Sequence, residues 1–114
     1  MSDCLFCRIG KGEIPAAVVY QDNLVMAFRD ISPRAPVHVL LIPRKHISSL
    51  SELSQDDDMT IGHLVRISAQ IAESEGLSSS GYRLVANCGS EAGQVVEHVH
   101  FHLLGGRSLH WPPG

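Results

Sequence analysis

A short segment near the C-terminus constrains the fold of this 114-residue chain more than any other part of it. Residues 98–106 read His-Val-His-Phe-His-Leu-Leu-Gly-Gly, so that histidine and apolar residues alternate strictly before two glycines. A period of two is the period of a β-strand. On a strand, His98, His100 and His102 share one face, with neighbours about 6.6 Å apart. The segment therefore predicts a strand that carries three imidazoles on one side and packs against a core on the other.

The composition predicts one soluble domain over residues 1–114. No apolar run reaches the roughly 20 residues of a membrane span, and the N-terminus lacks the pattern of a secretory signal. Three cysteines are too few for a disulfide framework, which favours a reducing, cytoplasmic location. The net charge of −3 argues against a nucleic-acid polymer as partner, although it leaves room for a small phosphate-bearing ligand.

The rest of the chain predicts an antiparallel α+β fold. A short helix follows Asp3, which is the expected cap, and a long helix starts at a capping box formed by Ser54 and Asp57. The long helix buries a face that includes Val65, leaves His63 in solvent and ends at Gly76. Short turns and one long helix do not suit a parallel sheet. Besides the histidine segment, the extended runs are residues 17–20, 24–28, 37–43 and 82–87.

Three further features indicate chemistry without settling it. The Cys4-x-x-Cys7 spacing suits two ligands of one zinc ion, but it equally suits two small buried residues on a helical turn. Glycines at 89 and 93 can turn backbone N–H groups toward an anion, or simply form a turn. His38 interrupts an apolar strand, where a polar group needs a partner.

Taken together, these segments resemble one protein family. Residues 98–104 fit the motif His-φ-His-φ-His-φ-φ, where φ is apolar, of the histidine triad (HIT) superfamily, and the chain is similar to its Hint branch, the purine nucleoside phosphoramidases. The resemblance implies a single HIT domain over residues 1–114. The implied fold is HIT-like, with a five-stranded antiparallel sheet, one long helix and one short helix. The implied assembly is a homodimer in which the sheet continues across two subunits. The matching segments also include residues 13–15, 27–33, 35–38, 42–43, 104–107 and 111–114.

The resemblance implies hydrolysis of purine nucleoside 5′-phosphoramidates, such as AMP–amine conjugates, in two steps. His100 attacks the α-phosphorus and expels the amine, and water then hydrolyses the histidine–AMP intermediate. An imidazole must be neutral to attack, and its ordinary pKa near 6.5 satisfies that need at pH 7. The leaving amine needs a proton, which His102 would give while His38 passes protons to the cluster. His98 completes the catalytic set.

The same resemblance implies a nucleotide site with an apolar base pocket, a carboxylate for the ribose hydroxyls and backbone amides for the phosphate. Core packing of the apolar residues and a turn-capping role for the carboxylate are the alternatives. Many relatives carry a hydroxyl residue where this chain has Val95, so only a backbone amide remains there on the leaving-group side. The implied residues are Phe6, Ile9, Phe28 and Ile31 for the base, Asp30 for the ribose, and Asn87, Gly93, Gln94, Val95, His100 and His102 for the phosphate.

A structural zinc ion is also implied, because some HIT proteins with this cysteine spacing bind zinc through two cysteines and two histidines. The matching ligands here are Cys4, Cys7, His46 and His98. A closed set of four ligands is structural, so catalysis needs no cofactor. Two other functions compete with hydrolysis. One is a nucleotide-binding scaffold with little catalysis, and the other is a catalytic zinc centre on the histidine face.

Overall fold

The computed structural model describes residues 3–114 and contains a five-stranded sheet in the order β1-β2-β3-β5-β4. All neighbouring strands are antiparallel, which confirms the predicted α+β fold. The first four strands begin and end within one residue of their predicted bounds. The strands are β1 (Val18–Gln21), β2 (Val25–Arg29), β3 (Val37–Pro43), β4 (Tyr82–Ala86) and β5 (Phe101–Gly105).

Two α-helices cover opposite faces of this sheet. The long helix α2 (Asp58–Ser74) follows the predicted capping box, in which the Ser54 amide donates to the Asp57 carboxylate at 2.9 Å. It buries one apolar stripe against the sheet, whereas Val65, predicted to be buried, is 44% exposed. The short helix α1 (Leu5–Gly10) lies on the other face. Within residues 3–114, neither helix has the length and apolarity needed to cross a membrane.

Two further local predictions were wrong, each because of one specific side-chain contact. The cap of α1 is Cys4 instead of Asp3, since the Cys4 sulfur accepts the Cys7 N–H at 3.4 Å. His63 is not simply in solvent: its Nε2 lies 2.7 Å from the carboxylate of Asp22, which also accepts the Tyr20 hydroxyl at 2.6 Å. This contact joins α2 to the turn between β1 and β2, and helical periodicity alone does not reveal it.

The histidine segment is only partly a strand, contrary to the prediction. β5 begins at Phe101, so His102 lies in the sheet while His98 and His100 precede it. Pro43 ends the neighbouring strand β3, and a proline has no N–H to continue the ladder. The Val99 amide instead donates to the Ile47 carbonyl at 2.7 Å, in the loop after β3. The apolar partners face the core as predicted, with Val99 and Leu103 buried.

Candidate functional site

One ring nitrogen of His100 carries a proton, and the other has a free lone pair. Its Nδ1–H donates to the backbone carbonyl of His98 at 2.7 Å, and a carbonyl can only accept. The neutral ring therefore carries its proton on Nδ1 and its lone pair on Nε2. The ring is buried and rests on the edge of Phe6, with ring centroids 5.0 Å apart. This is the arrangement that an imidazole nucleophile needs.

A second pair of imidazoles lies beside this ring. His38 Nε2 is 2.9 Å from His102 Nδ1 and 3.4 Å from an Asp30 carboxylate oxygen, and the His102 ring centroid is 5.2 Å from that of His100. Burial lowers the pKa of His102 to about 4, with smaller contributions from His100 and His38. Burial also lowers the pKa of His38, against the opposing effect of Asp30. Both rings are therefore neutral at pH 7.

An open cavity of about 340 Å³ lies next to this pair and brings together several predicted residues, among them Asp30, His38, Asn87 and His102. The residues predicted for the base are arranged differently. Phe6, Ile9 and Phe28 are buried in one cluster with Met26, Leu40 and Ile42, which is the core packing named as the alternative. Ile31 is 98% exposed.

The loop at residues 89–95 is preformed by its own hydrogen bonds. Gly93, with a φ of 88°, donates its N–H to the Ser90 carbonyl, and Gln94 donates its N–H to the Gly89 carbonyl, both at 3.1 Å. The turn therefore uses two of the three amides predicted to contact phosphate. The predicted phosphate contact at this loop consequently depends most on the amide of Val95, a residue that is 88% exposed.

Cys4, Cys7, His46 and His98 converge, with ligand atoms all within 4.8 Å of one another. His98 Nδ1 is 3.3 Å from the Cys4 sulfur, 3.6 Å from the Cys7 sulfur and 3.2 Å from His46 Nδ1. A tetrahedral zinc ion with bonds of about 2.05 Å to nitrogen and 2.3 Å to sulfur separates two nitrogens by about 3.3 Å, and a nitrogen from a sulfur by about 3.6 Å. The cluster has these dimensions, so it could bind a metal ion.

Asp30, His38 and His102 form a second group whose ligand atoms are close enough to one another to hold a metal ion. The direction of the hydrogen bonds distinguishes the two groups. His98 donates its Nε2–H to the Pro43 carbonyl at 2.8 Å, so its Nδ1 faces the cysteines as a lone pair. In contrast, His38 Nδ1 accepts the Arg34 amide at 3.0 Å, so neutral His38 carries a proton on Nε2, the atom that would have to bind metal. The donor set fits a metal at the cysteines and disfavours one at His38.

The sequence pattern missed two groups that hold these histidines in place, the Arg34 amide and the Pro43 carbonyl, because no side-chain pattern reveals a backbone atom. It also missed the structural role of the Gln94 side chain, which accepts the Gly89 N–H at 2.9 Å and donates to the Ser48 carbonyl at 2.7 Å and so fixes the loop at residues 89–95. The only sequence signal for the carbonyl was the proline that ends β3.

The lowered pKa of His102 predicts a pH-dependent stability. The His102 ring gains a proton near pH 6.5 in the unfolded chain but only near pH 4 in the folded chain. Its contribution to the free energy of unfolding is therefore full above pH 6.5 and falls as the pH decreases toward 4. Between pH 7 and pH 5 His102 contributes a loss of about 2 kcal/mol. Urea unfolding of the wild type and His102→Asn at both pH values measures it. An equal loss in the two proteins contradicts the prediction.

The chain is similar to proteins of known family along nearly its whole length. The HIT domain family model matches residues 11–109. The chain is 51% identical over 112 residues to an uncharacterised HIT-like protein of Synechococcus elongatus, covering 98% of this chain and 97% of that protein. It is 47% identical over 107 residues to the purine nucleoside phosphoramidase of Escherichia coli K12, covering 94% and 90%.

A solved structure gives the same result for the fold. The crystal structure of a HIT family hydrolase from Legionella pneumophila Philadelphia 1 superposes with a TM-score of 0.97, at 51% identity, over 98% of this chain and 100% of that one. The predicted HIT-like fold and the resemblance of the histidine segment to the triad motif are both confirmed. The chain belongs to the HIT domain family.

Proposed function

We propose that this protein hydrolyses purine nucleoside 5′-phosphoramidates through a covalent histidine–nucleotidyl intermediate. The observation that carries the proposal is the His100 ring, whose Nδ1–H is held by the His98 carbonyl at 2.7 Å and whose Nε2 lone pair is thereby kept for attack. The purine nucleoside phosphoramidase of Escherichia coli, at 47% identity, supports this class of substrate.

In the first step, His100 Nε2 forms a bond to the α-phosphorus and the P–N bond breaks. The amine departs with the electron pair of that bond and must gain a proton. His102 is the proton donor in this proposal, because its ring lies 5.2 Å from that of His100, centroid to centroid, and His38 stands directly behind it. Negative charge that gathers on the phosphoryl oxygens is stabilised by N–H groups, among them the Val95 amide.

In the second step, water attacks the phosphorus, its proton passes to His102 Nε2, and the bond to His100 Nε2 breaks, which releases the nucleoside monophosphate. The nucleotide is held by residues around the cavity in both steps: Asp30 binds the ribose hydroxyls and Asn87 helps to position the phosphate. Gly93 and Gln94 shape the loop beside it. For the base, we retain Phe6, Ile9, Phe28 and Ile31: three form one cluster, and the exposed Ile31 provides apolar surface that a base would cover.

We also propose that Cys4, Cys7, His46 and His98 hold a structural zinc ion. Their ligand atoms have the separations of a zinc tetrahedron, and the Pro43 carbonyl orients His98 for binding through Nδ1. The ion would fasten the start of α1 to the segment before β5. All four coordination positions would be filled by the protein, so the ion serves the fold and no step of the reaction requires it.

A homodimer is the proposed assembly. β4 lies at one edge of the sheet, where its outer backbone groups have no strand partner within residues 3–114. Pairing with a second copy at this edge would continue the sheet across two subunits. Light scattering during size-exclusion chromatography measures the mass in solution, and a monomer at micromolar concentration would contradict this assembly.

Steady-state turnover tests the proposed reaction directly. The wild-type protein is incubated with AMP and with GMP, each joined through a P–N bond to the same primary amine, and release of the nucleoside monophosphate is followed. We expect multiple turnovers, and the ratio of the two kcat/KM values gives the base preference. Binding of AMP without any turnover of either conjugate would instead identify a nucleotide-binding scaffold.

A further inference from the structure

The backbone amide of Arg34 is placed to control the protons of the His38–His102 pair. It donates to His38 Nδ1 at 3.0 Å, and the loop around it is fixed by two other bonds. The Arg34 carbonyl accepts from the Arg107 guanidinium at 3.0 Å, and the Asp30 amide donates to the His38 carbonyl at 3.0 Å. The Arg34 side chain itself is exposed, so the contact with His38 is made by the backbone alone.

The direction of this bond determines where both rings carry their protons. A backbone amide can only donate, so His38 Nδ1 is an acceptor and the proton of the neutral ring is on Nε2. The nearest acceptor for that Nε2–H is His102 Nδ1 at 2.9 Å, closer than the Asp30 carboxylate oxygen at 3.4 Å, so we assign His102 Nδ1 as an acceptor too. The proton of neutral His102 is then on its own Nε2. One amide at the surface thus sets two tautomers in sequence.

We propose that the Arg34 amide is a positioning group for the nucleotidyl transfer, holding His38 and His102 as Nε2–H tautomers so that a substrate meets a fixed N–H donor on His102 next to the lone pair of His100. The tautomers follow from the hydrogen bonds alone, whereas their effect on rate rests on the proposed function. A donor and a nucleophile set side by side match a phosphoramidate, whose leaving nitrogen and phosphorus are adjacent atoms.

The same chain of bonds limits when the pair can gain a proton. With the Arg34 N–H on one nitrogen of His38 and one proton between the rings, neither ring offers an unshared lone pair. An additional proton can join the two rings only if one of these bonds breaks. Burial acts in the same direction, because it lowers the pKa of both rings independently of these bonds. An anionic phosphoramidate beside the pair favours uptake of one proton from solvent at His38 Nδ1, which opens the bond to the Arg34 amide. As His102 then gives its Nε2–H to the leaving amine, the His38 Nε2–H moves to His102 Nδ1, so that both rings end neutral.

The test compares Arg34→Pro with Arg34→Ala. Both variants lack the guanidinium, but only proline removes the backbone N–H, so the difference between them isolates the amide. Proton–nitrogen correlation NMR of the imidazole rings reports the tautomers of His38 and His102, and steady-state kinetics on an AMP–amine conjugate reports kcat and KM. We expect Nε2–H tautomers in the wild type and Arg34→Ala, and mixed tautomers in Arg34→Pro. We expect kcat of Arg34→Pro to be about 10-fold or more below that of Arg34→Ala, with KM within about 2-fold.

The possible outcomes separate this proposal from the proposed function. Wild-type protein with either ring as an Nδ1–H tautomer or an imidazolium at pH 7 overturns the proposal, and this measurement does not depend on whether Arg34→Pro folds. Equal kcat values and equal tautomers in the two folded variants overturn it as well. If the wild type shows Nε2–H tautomers but no turnover, the proposed function fails while the tautomer assignment stands.

Discussion

Replacement of His100 by alanine is expected to lower kcat for an AMP–amine conjugate by a factor on the order of 10⁴ or more. The loss is this large because the variant has no nitrogen at the position that forms the bond to phosphorus, and water must then attack the substrate directly. The nucleotide contacts made by other residues remain, so AMP is expected to bind with a dissociation constant within about 10-fold of the wild-type value. Stopped assays give kcat, and isothermal titration calorimetry gives AMP affinity.

His63→Ala is the matched control for this substitution. It also removes a histidine, but this ring contacts Asp22 in the turn between β1 and β2 and takes no part in the proposed reaction. His63 lies on α2, which covers the face of the sheet opposite to the one that packs against Phe6 and His100. We expect its kcat to stay within about 2-fold of wild type. Turnover by His100→Ala at more than a few per cent of the wild-type rate would contradict the assignment of His100 as nucleophile.

Replacement of Cys7 by serine is expected to have the largest effect on stability, provided that zinc is present. An ion bound only by the folded chain stabilises it by about 4 kcal/mol when free zinc exceeds the dissociation constant 1,000-fold. Cys7 supplies one of four converging ligands, with its sulfur 3.3 Å from His46 Nδ1 and 3.6 Å from His98 Nδ1. Urea unfolding with and without buffered zinc should show this stabilisation in the wild type, with most of it lost in Cys7→Ser.

Cys88→Ser controls for the loss of a thiol. Cys88 is the third cysteine and lies away from the cluster, with its sulfur 3.2 Å from the Ser51 hydroxyl. This variant should bind one equivalent of zinc per chain and gain the same stabilisation as the wild type. Protein that is purified without added zinc, holds less than about a tenth of an equivalent and gains no stability from zinc would contradict the metal site.

The sequence was sufficient to predict the sheet because most of its strands are short, largely apolar runs bounded by turns, as β3 is apart from His38. Prediction from the sequence was less reliable where a single residue stops two neighbouring strands from pairing. The alternation at 98–104 predicted a continuous strand, yet Pro43 on the neighbouring strand stops the ladder, and His98 and His100 lie outside β5. That departure matters for the chemistry, since it frees the His98 carbonyl to hold the His100 ring.

For the site, side-chain identity predicted which residues meet but not how they are protonated. The cysteines and His46 converge with His98 as the resemblance implied, and His38 lies against His102. The groups that set the tautomers are backbone atoms of Arg34, Pro43 and His98, and backbone atoms have no signature in a residue pattern. For the base, residue type does not decide the role. Phe6, Ile9 and Phe28 pack together in an apolar cluster, as core residues would with or without a ligand.

Trapping the covalent intermediate is the decisive test of His100 as the nucleophile. The protein is mixed with an AMP–amine conjugate, quenched within the first turnover under conditions that preserve phosphorus–nitrogen bonds, and digested for mass spectrometry. We expect one adenylyl group on the peptide that contains His100, located on His100 itself, and none in His100→Ala. Turnover of the conjugate with no adduct at any time point, or an adduct on another residue, would contradict it.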